Sequence, residues 1–85
     1  MTPREADALR ANPATTLVDV READEWVQGH IPGARHVAKS RLEQEIEAAL
    51  PDRSAPVVLY CTAGVRSLFA GQALRAMGYE DVASM

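Results

Sequence analysis

Residues 57–79 read VVLYCTAGVRSLFAGQALRAMGY, and the rest of the chain is understood from them. Val57, Val58, Leu59 and Tyr60 have the composition of a buried strand, and the spacing predicts one over 57–61. From Ser67 onward apolar residues recur at helical spacing, which predicts a helix to about Met77. Leu68, Gly71, Ala73, Leu74 and Met77 are its expected contacts, and Gly78 is the expected C-terminal cap. Cys61, the only cysteine in the chain, sits at the seam between strand and helix.

Working outward, the remaining segments alternate in the same way. Thr2 and Glu5 form a capping-box pattern with Pro3 at the first helical position, predicting a short helix over residues 3–11. TLVDV (16–20) reads as a strand, mostly apolar, as in a sheet covered on both faces. READEWVQG (21–29) reads as a two-turn helix ended by Gly29. Pro32-Gly33 marks a turn before a brief strand at about 35–38. Ser40 and Glu43 form a second capping box opening RLEQEIEAAL (41–50), with Leu42, Ile46, Ala49 and Leu50 on one face. Pro51 ends it, and DVASM (81–85) begins a further strand. Strands alternating with helices predict an α/β fold with a mainly parallel sheet.

The totals bound the function. Eighty-five residues make a single domain, 1–85. An apolar fraction of 47% with 25% charged residues is that of a globular domain. A net charge of -3 gives no footprint for nucleic acid and no polybasic membrane patch. The longest apolar run, Val57–Cys61, is far too short to span a bilayer. The polar N-terminus MTPREADALR does not read as a secretory leader. One cysteine excludes an internal disulfide, and with only two histidines it argues against a structural metal site. A reducing cytoplasm is the expected location.

Ligand sites of open α/β sheets lie beyond the carboxyl ends of the strands, which is where Cys61 falls. Unpaired N–H groups of the loop and the positive end of the helix would form an anion cradle there. A thiol in such a cradle ionises more easily. Gly64 permits a positive φ. Arg66 would add a fixed cation. Ser67 would cap the helix and donate a hydrogen bond inward. From its position alone, however, a cysteine after VVLY is more often a small buried hydrophobe.

A second segment changes that balance. Asp19-Val20-Arg21, Glu25 and Gly29-His30-Ile31-Pro32-Gly33-Ala34 precede the loop Cys61-Thr62-Ala63-Gly64-Val65-Arg66 and Ser67 in order and spacing. Together these resemble the rhodanese family of sulfurtransferases, from about Leu17 to the C-terminus. The resemblance implies a rhodanese-like parallel sheet flanked by helices on both faces, with Cys61 as nucleophile. Thr62, Ala63, Gly64, Val65, Arg66 and Ser67 would form the substrate-binding loop. Cys61 would take the outer sulfur of thiosulfate or another persulfide donor. The resulting persulfide would pass sulfur to a thiol, cyanide or a sulfur-accepting protein. No cofactor and no metal is implied. Rhodanese-like phosphatases carry a longer Cys-x5-Arg loop, so the Cys-x4-Arg spacing here argues against phosphatase or arsenate-reductase chemistry. A non-catalytic binding or regulatory module is the other alternative, and the cysteine argues against it.

Other residues have simpler readings. Asp19 and Arg21 are supporting candidates near the same sheet edge. They are read as structural, with Asp19 accepting loop hydrogen bonds and Arg21 pairing with Glu25. His30 is a candidate proton carrier, though a turn-stabilising role is the simpler expectation. Trp26 is expected in the core and EQEIE (43–47) on a solvated helix face. Family members usually continue beyond this point through a turn into a closing helix, and the expectation is therefore a domain shortened at its C-terminus.

Overall fold

The computed structural model of the chain describes residues 15–84. In order they form β1 (Thr16–Asp19), α1 (Ala23–Val27), β2 (Arg35–His36), a 3-10 turn (Lys39–Arg41), α2 (Leu42–Ala49), β3 (Val57–Tyr60), α3 (Val65–Ala76) and β4 (Val82–Ser84). The helix expected over 3–11, with Thr2, Pro3 and Glu5, lies outside the described residues.

The four strands form one parallel sheet in the order β2-β1-β3-β4, in agreement with the α/β reading. β1 and β3 are central. Thr16 is in register with Val57 and Asp19 with Tyr60. The strand following β1 lies on one side of it and β3 on the other, so the order reverses between them. The carboxyl ends of β1 and β3 therefore flank the crevice at which such sheets bind ligands.

Side chains alternate across the sheet as strand geometry requires. Val18, Val20, Val57 and Leu59 face the larger core, where they meet Leu42, Ile46 and Leu50 of the α2 region and Ala70 and Leu74 of α3. Leu17, Val58 and Tyr60 face the other side, where Ile31 and Ala34 of the β1–β2 connection pack on them. Both faces of the central strands are buried, which explains why their sequences read as continuous apolar runs.

Several local expectations are corrected. Ser40 does not cap α2: it lies in the 3-10 turn and donates its hydroxyl to Glu22 Oε1 at 2.9 Å. The 3-10 turn supplies the start that a capping box would have provided. α3 starts two residues before Ser67, at Val65, with Gly64 as its N-cap. Leu68 is 49% exposed and not a core contact, because the buried face of α3 runs through Ser67, Ala70, Gly71 and Leu74. β3 ends at Tyr60 and β2 at His36, each shorter than the apolar patterning suggests.

The end of α2 is fastened by side chains from distant segments. Its last carbonyls have no partner within the helix. Arg35 Nη1 donates to Ala49 O at 2.7 Å, and the buried Tyr79 hydroxyl donates to Leu50 O at 2.5 Å. Tyr79 follows Gly78, whose φ of 97° turns the chain out of α3. Replacing Tyr79 by Phe leaves the Leu50 carbonyl buried without this donor. A loss of about 1–2 kcal/mol in stability is expected in urea unfolding, with an unchanged slope against denaturant.

Candidate active site

The turn from β3 into α3 is built around one sulfur. Gly64 has φ 82° and ψ -10°, a left-handed conformation that costs a residue with a Cβ about 1–2 kcal/mol. This conformation aims the Gly64 N–H back at Cys61 Sγ, 3.1 Å away. The N–H of Ser67, in the first turn of α3, also points at Sγ at 3.4 Å. Ser67 Oγ stands 3.7 Å from Sγ and donates to Gly64 O at 3.1 Å. Ser67 is thus buried inside the turn and braces it, and it is not the helix cap.

These groups decide the ionisation of Cys61. Partial burial pushes its thiol up. The Ser67 N–H and hydroxyl, the Gly64 N–H and the Arg66 N–H outweigh burial and hold it below its ordinary value. The loop at 62–67 therefore directs hydrogen-bond donors at the Cys61 sulfur from the start of α3. Thr62 and Ala63 are exposed on its rim, as is Val65.

Arg66 departs from expectation. It is no free cation in the cradle: its Nη1 and Nη2 donate to Glu25 Oε1 and Oε2 at 2.5 and 2.9 Å. Glu25, on α1, is in turn held ionised, and Arg66 is the main reason its carboxyl falls from an ordinary value of 4.5 to about 2. Glu25 also accepts the Glu22 N–H at 3.2 Å, closing the capping box of α1. Through this pair α1 and the start of α3 are joined across the crevice.

Arg21 departs in a complementary way. It pairs with Asp19 and not with Glu25. Its Nε lies 3.1 Å from both carboxylate oxygens, its Nη2 is 2.8 Å from Oδ2, and Nη2 also donates to Gly29 O at 2.6 Å. Asp19 accepts the Arg21 N–H as well, at 2.8 Å, which bears out its reading as an acceptor of loop hydrogen bonds. Burial pushes the Asp19 carboxyl up, but the Arg21 side chain and N–H, with help from Tyr60, bring it below its ordinary value. The Arg21 guanidinium lies 5.9 Å from the centroid of the Tyr60 ring.

His30 and Trp26 are joined. His30 Nδ1–H donates to Trp26 O at 3.1 Å, and the two rings stack at 3.4 Å between centroids. His36 stacks on Trp26 at 4.8 Å and donates Nε2–H to Arg21 O at 2.7 Å. Trp26 is therefore half-buried in a stack of rings, not part of the core, because α1 buries no side chain. The turn role expected of His30 is present in its bond to Trp26. Tyr60 was read only as a strand residue, yet its hydroxyl accepts the Ile31 N–H at 3.2 Å and ties GHIPGA to β3.

Cys61, Arg21 and His30 meet in one open cleft of about 350 Å3, with Gly29, Ile31, Tyr60 and Thr62 completing its wall. Asp19 is the buried partner of Arg21, and Glu25 and Arg66 stand outside the residues that line the cleft. The Glu25–Arg66 pair predicts an acid signature. A carboxyl lowered on folding stabilises the fold above its unfolded value of 4.5, and that stability is lost as pH falls toward about 2. Glu25→Gln is expected to flatten the dependence of unfolding midpoint on pH across this window, as followed by circular dichroism.

The comparisons with known proteins agree with this fold. The family model described as Rhodanese-like domain matches residues 2–85. The protein YqhL of Bacillus subtilis is 44% identical over 66 residues, covering 78% of this chain and 51% of its own length. Thiosulfate sulfurtransferase GlpE of Pseudomonas fluorescens is 39% identical over 83 residues, covering 98% of this chain and 73% of its own. The chain thus spans about half the length of one relative and most of the other. Among solved structures, a rhodanese with anions from E. coli superposes with a TM-score of 0.79 at 33% identity, covering 82% of each chain. On the match of family model, relatives and architecture, the chain belongs to the rhodanese-like domain family.

Proposed function

We propose that this chain is a sulfurtransferase in which Cys61 carries the sulfur as a persulfide. The donor is thiosulfate or another sulfane compound, and the acceptor is a thiol, cyanide or a thiol-bearing protein. One observation carries the reading: two backbone N–H groups and a buried hydroxyl surround the Cys61 sulfur at the start of α3. Kinship with a thiosulfate sulfurtransferase at 39% identity supports the same class of reaction.

The chemistry follows from that environment. The Cys61 thiolate attacks the outer sulfur of the donor. A new sulfur–sulfur bond forms, the donor's own breaks, and its remainder departs with the electron pair as sulfite or a thiolate. An acceptor thiolate then attacks the outer sulfur of the Cys61 persulfide, and Cys61 leaves as thiolate. Every species on Cys61 is anionic or becomes so, and the fixed N–H groups of Gly64 and Ser67 stabilise each without reorganising. Asp19, Arg21 and His30 hold the cleft wall in shape around this centre and need not touch the sulfur.

The experiment is intact-mass spectrometry of the reduced protein after incubation with thiosulfate or an organic persulfide. A gain of one sulfur, reversed by a reducing thiol and absent in Cys61→Ser, is the expected result. No gain from any sulfane donor in folded protein would sink the proposal. Ser67→Ala removes the hydroxyl beside the sulfur while keeping the Ser67 N–H. It is expected to move the thiolate absorbance titration of the single cysteine to higher pH and to slow persulfide formation at neutral pH by roughly three- to tenfold.

A further inference from the structure

We propose that Glu25, on α1, is a positioning residue for Cys61: it grips the 62–67 loop near both of its ends and so holds the loop's N–H groups on the sulfur. This deepens the reading of Cys61 as nucleophile. Glu25 does not line the cleft, and it acts through the loop. The observation is the set of groups that converge on its carboxylate. The hydroxyl of Thr62, the residue after Cys61, donates to Oε2 at 3.5 Å. Arg66, the residue before Ser67, donates from Nη1 and Nη2 to Oε1 and Oε2 at 2.5 and 2.9 Å. From the start of α1 itself, the Glu22 N–H donates to Oε1 at 3.2 Å.

Between the two gripped residues lies Gly64, whose N–H stands 3.1 Å from Cys61 Sγ. Directly after them comes Ser67, whose N–H stands 3.4 Å from it, and the Arg66 N–H favours the thiolate as well. Donors spread along a turn keep a common aim only while its backbone is fixed. Ser67 Oγ braces the turn from inside through Gly64 O, and Glu25 braces it from outside. The forked guanidinium of Arg66 takes two parallel bonds, which set its direction as well as its distance.

The acceptor is itself anchored. Glu25 closes the capping box of α1, and Ser40 Oγ holds the Glu22 side chain at 2.9 Å. The next residue, Trp26, stacks with His30 and His36. The other titratable groups of the cleft wall have separate partners, Arg21 in Asp19 and Gly29 O, and His30 in Trp26 O.

Positioning and plain charge are separable by sign. The Arg66 cation and the Cys61 thiolate attract one another. Were charge the whole effect, removing Glu25 would bare Arg66 and favour the thiolate, and removing Arg66 would disfavour it. If Glu25 holds the loop, either loss lets the N–H groups drift from the sulfur, and both disfavour the thiolate. The ion pair is partly exposed and screened by water, whereas the N–H groups touch the sulfur, so the loss of aim outweighs the change in charge.

The test is the thiolate absorbance titration of the single cysteine in Glu25→Gln and Arg66→Gln, in about 500 mM potassium chloride to screen the charges. Both variants should titrate at higher pH than the parent chain. Both should also load sulfur from thiosulfate more slowly at neutral pH, by about threefold or more. The double variant should go little further than either single one, because the two side chains act through one contact. Shifts in opposite directions overturn the proposal. So does an unchanged titration in folded variants, which is what a merely structural role gives. An exposed pair of this kind adds little stability, so the variants are expected to fold. If they do not, Glu25→Asp and Arg66→Lys keep both charges and lose the two-pronged grip, and a titration unmoved in these overturns the proposal. The titration needs no sulfur donor. A parent chain that takes no sulfur therefore sinks the sulfur-transfer reading alone, and the positioning of the thiol stands or falls on its own measurement.

Discussion

The left-handed conformation of Gly64 is the constraint on which the site depends. It lets the chain leave β3, turn back over Cys61 and enter α3 across the four residues 61–64. Because the turn is that tight, the N–H groups that a helix start leaves unpaired converge on the side chain of Cys61 and not on water. The same residue thus ends the loop, starts the helix and provides the shortest contact to the sulfur. Ser67, fully buried in the first turn of α3, keeps the turn closed through its bond to the Gly64 carbonyl.

Around this turn the protein uses charge to join its segments. Four ionised side chains lie close to the sulfur, and they are consumed pairwise. Asp19 and Arg21 fix the end of β1 to the GHIPGA segment, and Glu25 and Arg66 fix α1 to α3. α1 buries no residue of its own, so it is held by such bonds and by the ring stack on Trp26. The hydrogen-bond donors around the Cys61 sulfur are therefore mostly backbone N–H groups, fixed by the turn.

Much of this was legible in the sequence. The strand read at 57–61 is found one residue shorter, with Cys61 just past its end, and Gly64 at the turn and the alternation of elements follow from local patterning and are found. The misses share a physical origin. Arg21 has acids at short range on both sides in sequence, Asp19 and Glu25, and local spacing favours the helical four-residue step. The fold instead brings Glu25 against an arginine 41 positions away, and Arg21 is left to Asp19. Ser40 matches a capping box by spacing, but Glu22 reaches it from another segment. Leu68 fits an apolar period by spacing, but the buried face of α3 runs through Ser67, Ala70, Gly71 and Leu74 and leaves it outside. Tyr60 carried a signal that could have been read: a tyrosine in an otherwise aliphatic buried strand needs a partner for its hydroxyl.

The pairing of β1 with β3 has a consequence for how the chain reaches this state. Thr16 meets Val57 and Asp19 meets Tyr60 across a long stretch of intervening chain, and none of the four described strands is joined to another by a hairpin. Such a sheet has no local nucleus, and its central ladder forms only after a large loss of chain entropy. Until it does, the cysteine is an ordinary thiol on a mobile chain, because the groups that lower its ionisation are aligned by the finished β3–α3 turn. The rate at which a small alkylating reagent modifies the single cysteine is therefore a clock on folding as well as a property of the site.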